Sequence, residues 1–245
     1  MLPKWRTLST GSAPAEVNVS ETDLLKNVSF FSGLSEAELA SLTACLARRT
    51  FARGVIVFHK GSPGRTLYII ESGKIRIFVL SASGREISVN VYGPGDVFGE
   101  LALLDGLPRS AGATAVERTT VLTLHRDDFL WHLERYPGMA RSIIEVLSAR
   151  VRYTTVYAEG LAFLDVHARV ASKLLELADR YGKESDRGTE IDLRLTQSEL
   201  ATWVAATREH VNKVLGDLRD ADLIVIDGQT ITLLDERRLE GRIPE

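Results

Sequence analysis

The sequence predicts an α+β chain: an antiparallel β-roll, then one long helix, then a C-terminal group of short helices closed by a β-hairpin. Three observations predict it. Between Phe51 and Leu124 the chain breaks into the short β-branched and aromatic runs VIVFH, TLYIIE, KIRIFVL, EISVNVY and TTVLTLH, with Gly54, Gly61, Gly64, Gly73, Gly84, Gly93 and Gly95 between them. Short strands at such spacing form antiparallel barrels or rolls. After Pro137 the period turns helical and stays so for about 25 residues. Beyond Thr196 two helix-start signals precede an Asp-Gly turn between apolar runs, which reads as a helix pair and a hairpin.

Taken in order, residues 1–20 are polar, rich in Ser, Thr and Ala, and read as a flexible N-terminal arm. Ser35 and Glu38 make a Ser-x-x-Glu capping box that starts a helix of about a dozen residues, with Cys45 on its apolar side. The roll domain is assigned to 21–136. In the helix of 137–163, Ile144, Leu147, Val151, Thr154, Ala158 and Leu161 are separated alternately by three and four residues, the a/d spacing of a coiled coil. So long a seam needs a partner. The economical one is the same helix of a second copy, in a two-fold homodimer; the alternative is packing on its own roll.

The last domain is assigned to 164–245. There Thr196 to Glu199 (TQSE) is a second capping box, opening a helix through about Val204. Ala205 and Ala206 occupy a turn, and Thr207 caps TREHVNKVLGDLRDADL. Val211, Val214, Leu215 and Leu218 share one face of that helix, leaving Glu209, Asn212 and Lys213 on the other with Arg208 at its edge. Val225, Asp227, Gly228, Gln229 and Ile231 outline the hairpin.

Composition narrows the function. At 245 residues the chain has room for two domains of roughly 100 to 150 residues. Its 44% hydrophobic and 26% charged residues are ordinary for a soluble globular protein. No apolar run approaches the roughly 20 residues of a membrane span, and MLPKWRTLST lacks the apolar stretch of a signal peptide; a cytoplasmic protein with no membrane partner is expected. A single cysteine cannot form an internal disulfide. His59, His125, His132, His167 and His210 show no metal-ligand spacing, so no metal is expected. No nucleophile, base and orienting group converge in any motif, and His132 and Glu134, near Asp127 and Asp128, read as an ordinary helix surface. An enzyme is therefore not expected. The net charge of −3 counts against nucleic-acid binding unless the basic residues cluster on one face.

The chemistry is concentrated in Phe98 to Ala111, FGELALLDGLPRSA. Arg109 suits a bidentate pair with two phosphate oxygens, with the Ser110 hydroxyl beside it. The backbone amides opening the turn after Gly99, at Leu101, supply a second anion site. Glu100 cannot bind phosphate, and its expected role is to accept a hydrogen bond from a ribose hydroxyl. Gly99 lets the main chain approach a ligand closely.

This run resembles the phosphate-binding cassette of cyclic-nucleotide-binding domains. Leu161 to Val166, LAFLDV, followed by a helix-turn-helix, resembles the hinge of the cyclic AMP receptor protein branch of the CRP/FNR transcription regulators. The likeness runs from about Leu24 to about Leu234. It implies a bacterial, allosteric activator: an N-terminal cyclic-nucleotide-binding β-roll, a long dimerisation helix and a C-terminal winged helix-turn-helix. The implied effector is cyclic AMP, with cyclic GMP as the alternative. The implied partners are palindromic double-stranded DNA, a second copy of the chain and RNA polymerase. The lone cysteine excludes the iron–sulfur-sensing FNR branch, which needs several thiolates.

By the same resemblance Arg150 stands beside the pocket, Thr154 faces the purine from its own subunit and Thr155 reaches it from the partner. Arg208, Glu209 and Lys213 align with the residues that read base edges, implying a half-site like TGTGA. Two departures stand out: lysine at the third reading position, where arginine is usual, weakens bidentate readout, and alanine replaces the usual glycine of the turn, a change expected to be sterically mild. Thr196, Thr207 and Gln229 are expected either as phosphate contacts or as simple caps and turn residues. Thr154 places a hydroxyl on the seam, where a buried hydroxyl needs a partner. That partner is a purine edge, or else the residue only sets coiled-coil register. Other readings are the same fold with another effector or with ligand-independent DNA binding, and a nucleotide-gated subunit of an enzyme or channel, which would lack the helix-turn-helix.

Overall fold

The computed structural model describes residues 21–244 except 82, 83, 85 and 195; the arm assigned to residues 1–20, with its Trp5, lies outside them. The chain divides into two units, with the break between Thr154 and Thr155.

The first unit opens with α1 (Glu21–Lys26), a single 3-10 turn at Ser29–Phe31 and α2 (Glu36–Thr43). Ser35 and Glu38 form the expected capping box. The helix runs for 8 residues, short of the dozen expected, so Cys45 falls beyond its end. The roll follows in β1 (Ala47–Phe51), β2 (Ile56–Phe58), β3 (Thr66–Ser72), β4 (Ile75–Leu80), β5 (Glu86–Tyr92), β6 (Val97–Phe98), α3 (Leu101–Leu104), β7 (Gly112–Ala115) and β8 (Thr119–His125). Its strands form two antiparallel sheets, β1-β8-β3-β6 and β2-β7-β4-β5. Ile70, Ile75, Phe98, Ala113 and Val121 fill the space between them. The opposite face of β3 and β8, with Leu67, Ile69, Leu122 and Leu124, packs on α1, the 3-10 turn, α2 and α4 (Arg126–Arg135) through Leu25, Phe31, Leu39 and Phe129. Alternate residues of one strand thus feed two cores.

The long helix α5 (Pro137–Phe163) begins on that second core, burying Met139, Ser142 and Ile143. His132, expected on a helix surface, is instead 2% exposed. Its ring nitrogens lie 3.3 Å from Ser41 Oγ and 2.7 Å from the Asp128 carbonyl oxygen, which satisfies the imidazole where α4 meets α2.

The second unit holds the end of α5 and then α6 (Val166–Tyr181), β9 (Gly182–Ser185), β10 (Gly188–Ile191), α7 (Gln197–Trp203), α8 (Arg208–Asp220), β11 (Ile224–Asp227), β12 (Thr230–Leu233) and α9 (Glu236–Glu240). The expected hairpin is β11-β12, with Gly228 at φ +61 in its turn. It is half of a four-stranded sheet, β11-β12-β10-β9, whose other half is the hairpin β9-β10. Helices α6, α7 and α8 bury Leu174, Leu200, Val211, Val214, Leu215 and Leu218.

Candidate functional site

Gly99 leaves β6 with φ +82, and a Cβ there would lie 2.6 Å from Nη1 of Arg109. Its left-handed backbone and the arginine beside it both require a glycine. Arg109 is 5% exposed. Its Nη1 donates to the Gly99 carbonyl and its Nη2 to the Thr66 carbonyl, each at 2.6 Å. The guanidinium lies 4.2 Å from the centre of the Phe58 ring and 5.7 Å from that of Tyr68. Gly64 leaves room on another side, since a Cβ there would sit 2.8 Å from Arg109 Nε. The arginine is anchored inside the protein, because two backbone carbonyls and an aromatic shelf fix its fork. Nε is buried and makes no hydrogen bond among the described residues. Burial holds the guanidinium below its ordinary pKa, against the opposing influence of Tyr68 and Glu100.

Glu100 is 4% exposed, and Arg150 of α5 donates from Nη1 to its Oε1 at 2.8 Å. Nη2 of Arg150 donates to the Val97 carbonyl. Burial works against the charge of Arg150, but Tyr92 and Glu100 outweigh it and leave the pKa raised. The carboxylate is therefore neutralised by a cation of its own chain. Leu101 begins α3, where the first amides have no acceptor within the helix; it and Ser110 are exposed.

Thr154 is exposed, and its Oγ1 donates 2.8 Å to the carbonyl of Arg150, one turn back. The hydroxyl expected to lack a partner has one in its own helix. Gly99 with Arg109, and Glu100 with Arg150 and Thr154, thus form two hydrogen-bonded groups in one unit. Thr155, also exposed, begins the other. Along the expected seam Ile144 is 64% and Val151 66% exposed, and Phe163 at the helix end is 84% exposed.

In the second unit the recognition-helix expectation divides. Thr207, Arg208, Glu209, Asn212 and Lys213 are all exposed, over the buried Val211, Val214, Leu215 and Leu218. Thr207 accepts from the amide of His210 at 3.2 Å, and Thr196 with Glu199 forms the second capping box. Both threonines are caps. Asn212 accepts from Gln197 Nε2 at 2.9 Å, which ties α8 to α7.

Ala205 lies at φ +50. It ends α7 in a Schellman turn, the amide of Ala206 donating to the Ala201 carbonyl at 3.0 Å, a position that favours glycine. Alanine there is strained, not sterically mild. Asp222 at φ +54 repeats the motif after α8. No local motif marks Tyr157, whose hydroxyl donates 3.2 Å to the Trp203 carbonyl at the end of α7.

The two units correspond to two known domain families. The cyclic nucleotide-binding domain matches residues 48–136 and the Crp-like helix-turn-helix domain residues 168–242. The CRP-like cAMP-activated global transcriptional regulator of Mycobacterium tuberculosis is 36% identical over 220 residues, which cover 90% of this chain and 98% of the relative. The chain belongs to the CRP/FNR family of transcription regulators. The cyclic AMP receptor protein of Thermus thermophilus is 32% identical, covering 88% of this chain and 97% of its own. Among solved structures, the c-di-GMP-responsive global regulator CLP of Xanthomonas campestris superposes with a TM-score of 0.74 at 26% identity, covering 82% of this chain and all 100% of that one. This regulator carries a cyclic-nucleotide-binding domain and a DNA-binding helix-turn-helix, and the relatives it matches are transcriptional regulators, not enzymes. Among the described residues no helix is long and apolar enough to cross a membrane, and no group of three or more His, Cys, Asp and Glu could hold a metal.

Proposed function

We propose that the chain is a cyclic-AMP-responsive homodimer that binds palindromic double-stranded DNA and acts with RNA polymerase, an allosteric regulator of the cytoplasm. The observation that carries the reading is the pocket wall: Arg109 locked between the Gly99 and Thr66 carbonyls, in the same unit as the Glu100–Arg150 pair. Arg109 keeps Nε and its outer N–H groups for a cyclic phosphate, with Ser110 and the Leu101 amide beside it. Glu100 receives the ribose hydroxyl while Arg150 balances its charge. Thr154, and Thr155 of the partner subunit, meet the purine, which brings the nucleotide to the helix pair.

The domain limits that fit this division of labour are 21–136 for the nucleotide domain, 137–163 for the dimerisation helix and 164–245 for the DNA-binding domain. The exposed Ile144 and Val151 support pairing of α5 with its copy, because large apolar side chains in register along a helix gain by mutual burial. Nucleotide bound against α5 shifts the population toward a tightened seam, and the hinge of Phe163 to Val166 passes that change to the recognition helices. Arg208, Glu209 and Lys213 then read base edges, and Thr196, Thr207 and Asn212 support them at the backbone.

A second reading keeps the fold and changes the effector. It is favoured by the likeness to a c-di-GMP-responsive regulator, and cyclic GMP stands within it. Calorimetric titration with cyclic AMP and with cyclic GMP separates the two. Saturable binding of cyclic AMP, stronger than that of cyclic GMP, is expected. Heat from neither nucleotide would reject the primary reading.

A further inference from the structure

We infer that Tyr92 is a positioning residue for nucleotide recognition: through Arg150, its ring holds the Glu100 carboxylate in the orientation that accepts the ribose hydroxyl. The inference rests on the assignment of Glu100 to the ribose. Arg150 and Glu100 alone are two flexible side chains, and an ion pair of that kind is free to turn as a unit. Further contacts prevent it here. Nη2 of Arg150 is tied to the Val97 carbonyl, and its guanidinium carbon lies 4.7 Å from the centre of the Tyr92 ring and 5.6 Å from that of Phe30. A guanidinium held against aromatic rings in a largely dry site is where the cation–π attraction is strongest.

The two rings differ in why they are present. Phe30 is 1% exposed and belongs to the core under α1, α2 and α4. Tyr92 is only partly buried, at the end of β5, where its backbone is paired with Ile75 of β4. The sheet therefore fixes the ring, the ring fixes Arg150, and Arg150 fixes one oxygen of Glu100. That oxygen, Oε1, accepts from Arg150, and Oε2 accepts no hydrogen bond among the described residues. Burial pushes the Tyr92 phenol above its ordinary pKa, so the ring stays neutral. A cyclic phosphate leaves the ribose only its 2′-hydroxyl free. Glu100 accepts it with Oε2, and recognition then depends on how well the carboxylate is held.

The test compares calorimetric affinities for cyclic AMP and for its deoxyribose analogue, which lacks that hydroxyl. The unaltered protein prefers cyclic AMP. Tyr92→Leu, and Tyr92→Met as a closer match in volume, lose roughly three- to twentyfold in affinity for cyclic AMP and almost nothing for the analogue. Tyr92→Phe keeps the ring and restores the preference. Equal losses for both nucleotides would reduce Tyr92 to a packing residue and overturn the inference, as would no loss for either. Equal affinity of the unaltered protein for the two nucleotides would instead overturn the ribose assignment of Glu100, and absence of binding would overturn the nucleotide reading, the inference falling with each.

Discussion

In the roll, Arg109, Glu100 and Arg150 are buried and direct their hydrogen bonds into the protein, whereas on α8 Arg208, Glu209 and Lys213 stand exposed over a buried apolar face. The charged groups proposed to hold the nucleotide also hold the roll together, whereas those proposed to read DNA make no such contacts into the core. A preorganised pocket presents its ligand with groups already in place. A recognition surface presents side chains whose removal leaves the fold intact. Mutations at the two sites should therefore fail differently.

The largest effect is expected from Arg109→Leu. It leaves two buried carbonyls without donors, so beyond loss of nucleotide binding it should cost about 3 kcal/mol or more of stability. Urea denaturation checks this, and an unchanged midpoint would show that the arginine serves the ligand alone. Next is Val151→Glu. Val151 is 66% exposed, so monomer stability should change by no more than about 0.5 kcal/mol. The dimer should lose about 3 kcal/mol, because two-fold symmetry repeats the defect. Sedimentation equilibrium measures it, and a dimer of unaltered strength would move the interface elsewhere.

On the DNA side, Glu209→Ala should relax preference at one base pair by about 1 to 3 kcal/mol while stability and nonspecific affinity hold. Selection from random DNA that returned the same motif at the same stringency would remove Glu209 from base readout. Smaller again is Ala205→Gly. Relief of the left-handed strain, offset by the added freedom of the unfolded chain, should stabilise the protein by about 0.5 to 1 kcal/mol. Thermal unfolding at no higher temperature would mean that the turn tolerates alanine without cost.

The same contrast explains what could be read from the sequence. Helix starts were legible because a cap is a local event: both capping boxes lie within four residues and both form. The exposed polar face of α8 followed from the periodicity of its buried one. Strand β1 was missed because ARRTF shows mostly exposed residues and no apolar alternation, next to a strong helix pattern. The β9-β10 hairpin was missed because Lys183, Glu184, Asp186 and Arg187 surround its turn and only Ile191 is buried. In the pocket, the motif shows which residues carry charge but not that they are buried. The carbonyls that hold Arg109 stand 10 and 43 positions away, and the cation that neutralises Glu100 stands 50 away; nothing local announces such pairings. The Thr154 hydroxyl is the opposite case, since its partner is the carbonyl four residues back.

The proposed function requires occupancy of the Arg109 pocket to govern the DNA-binding face. It is tested most directly by the affinity of the protein for a palindromic DNA, measured with and without saturating cyclic AMP in the unaltered chain and in Arg109→Lys, which keeps the charge but cannot reproduce the fork. A rise of tenfold or more, roughly 1.4 kcal/mol, is expected in the unaltered protein, with loss of most of that rise in Arg109→Lys at the same nucleotide concentration. An affinity for DNA that is the same with and without cyclic AMP in the unaltered protein would contradict it.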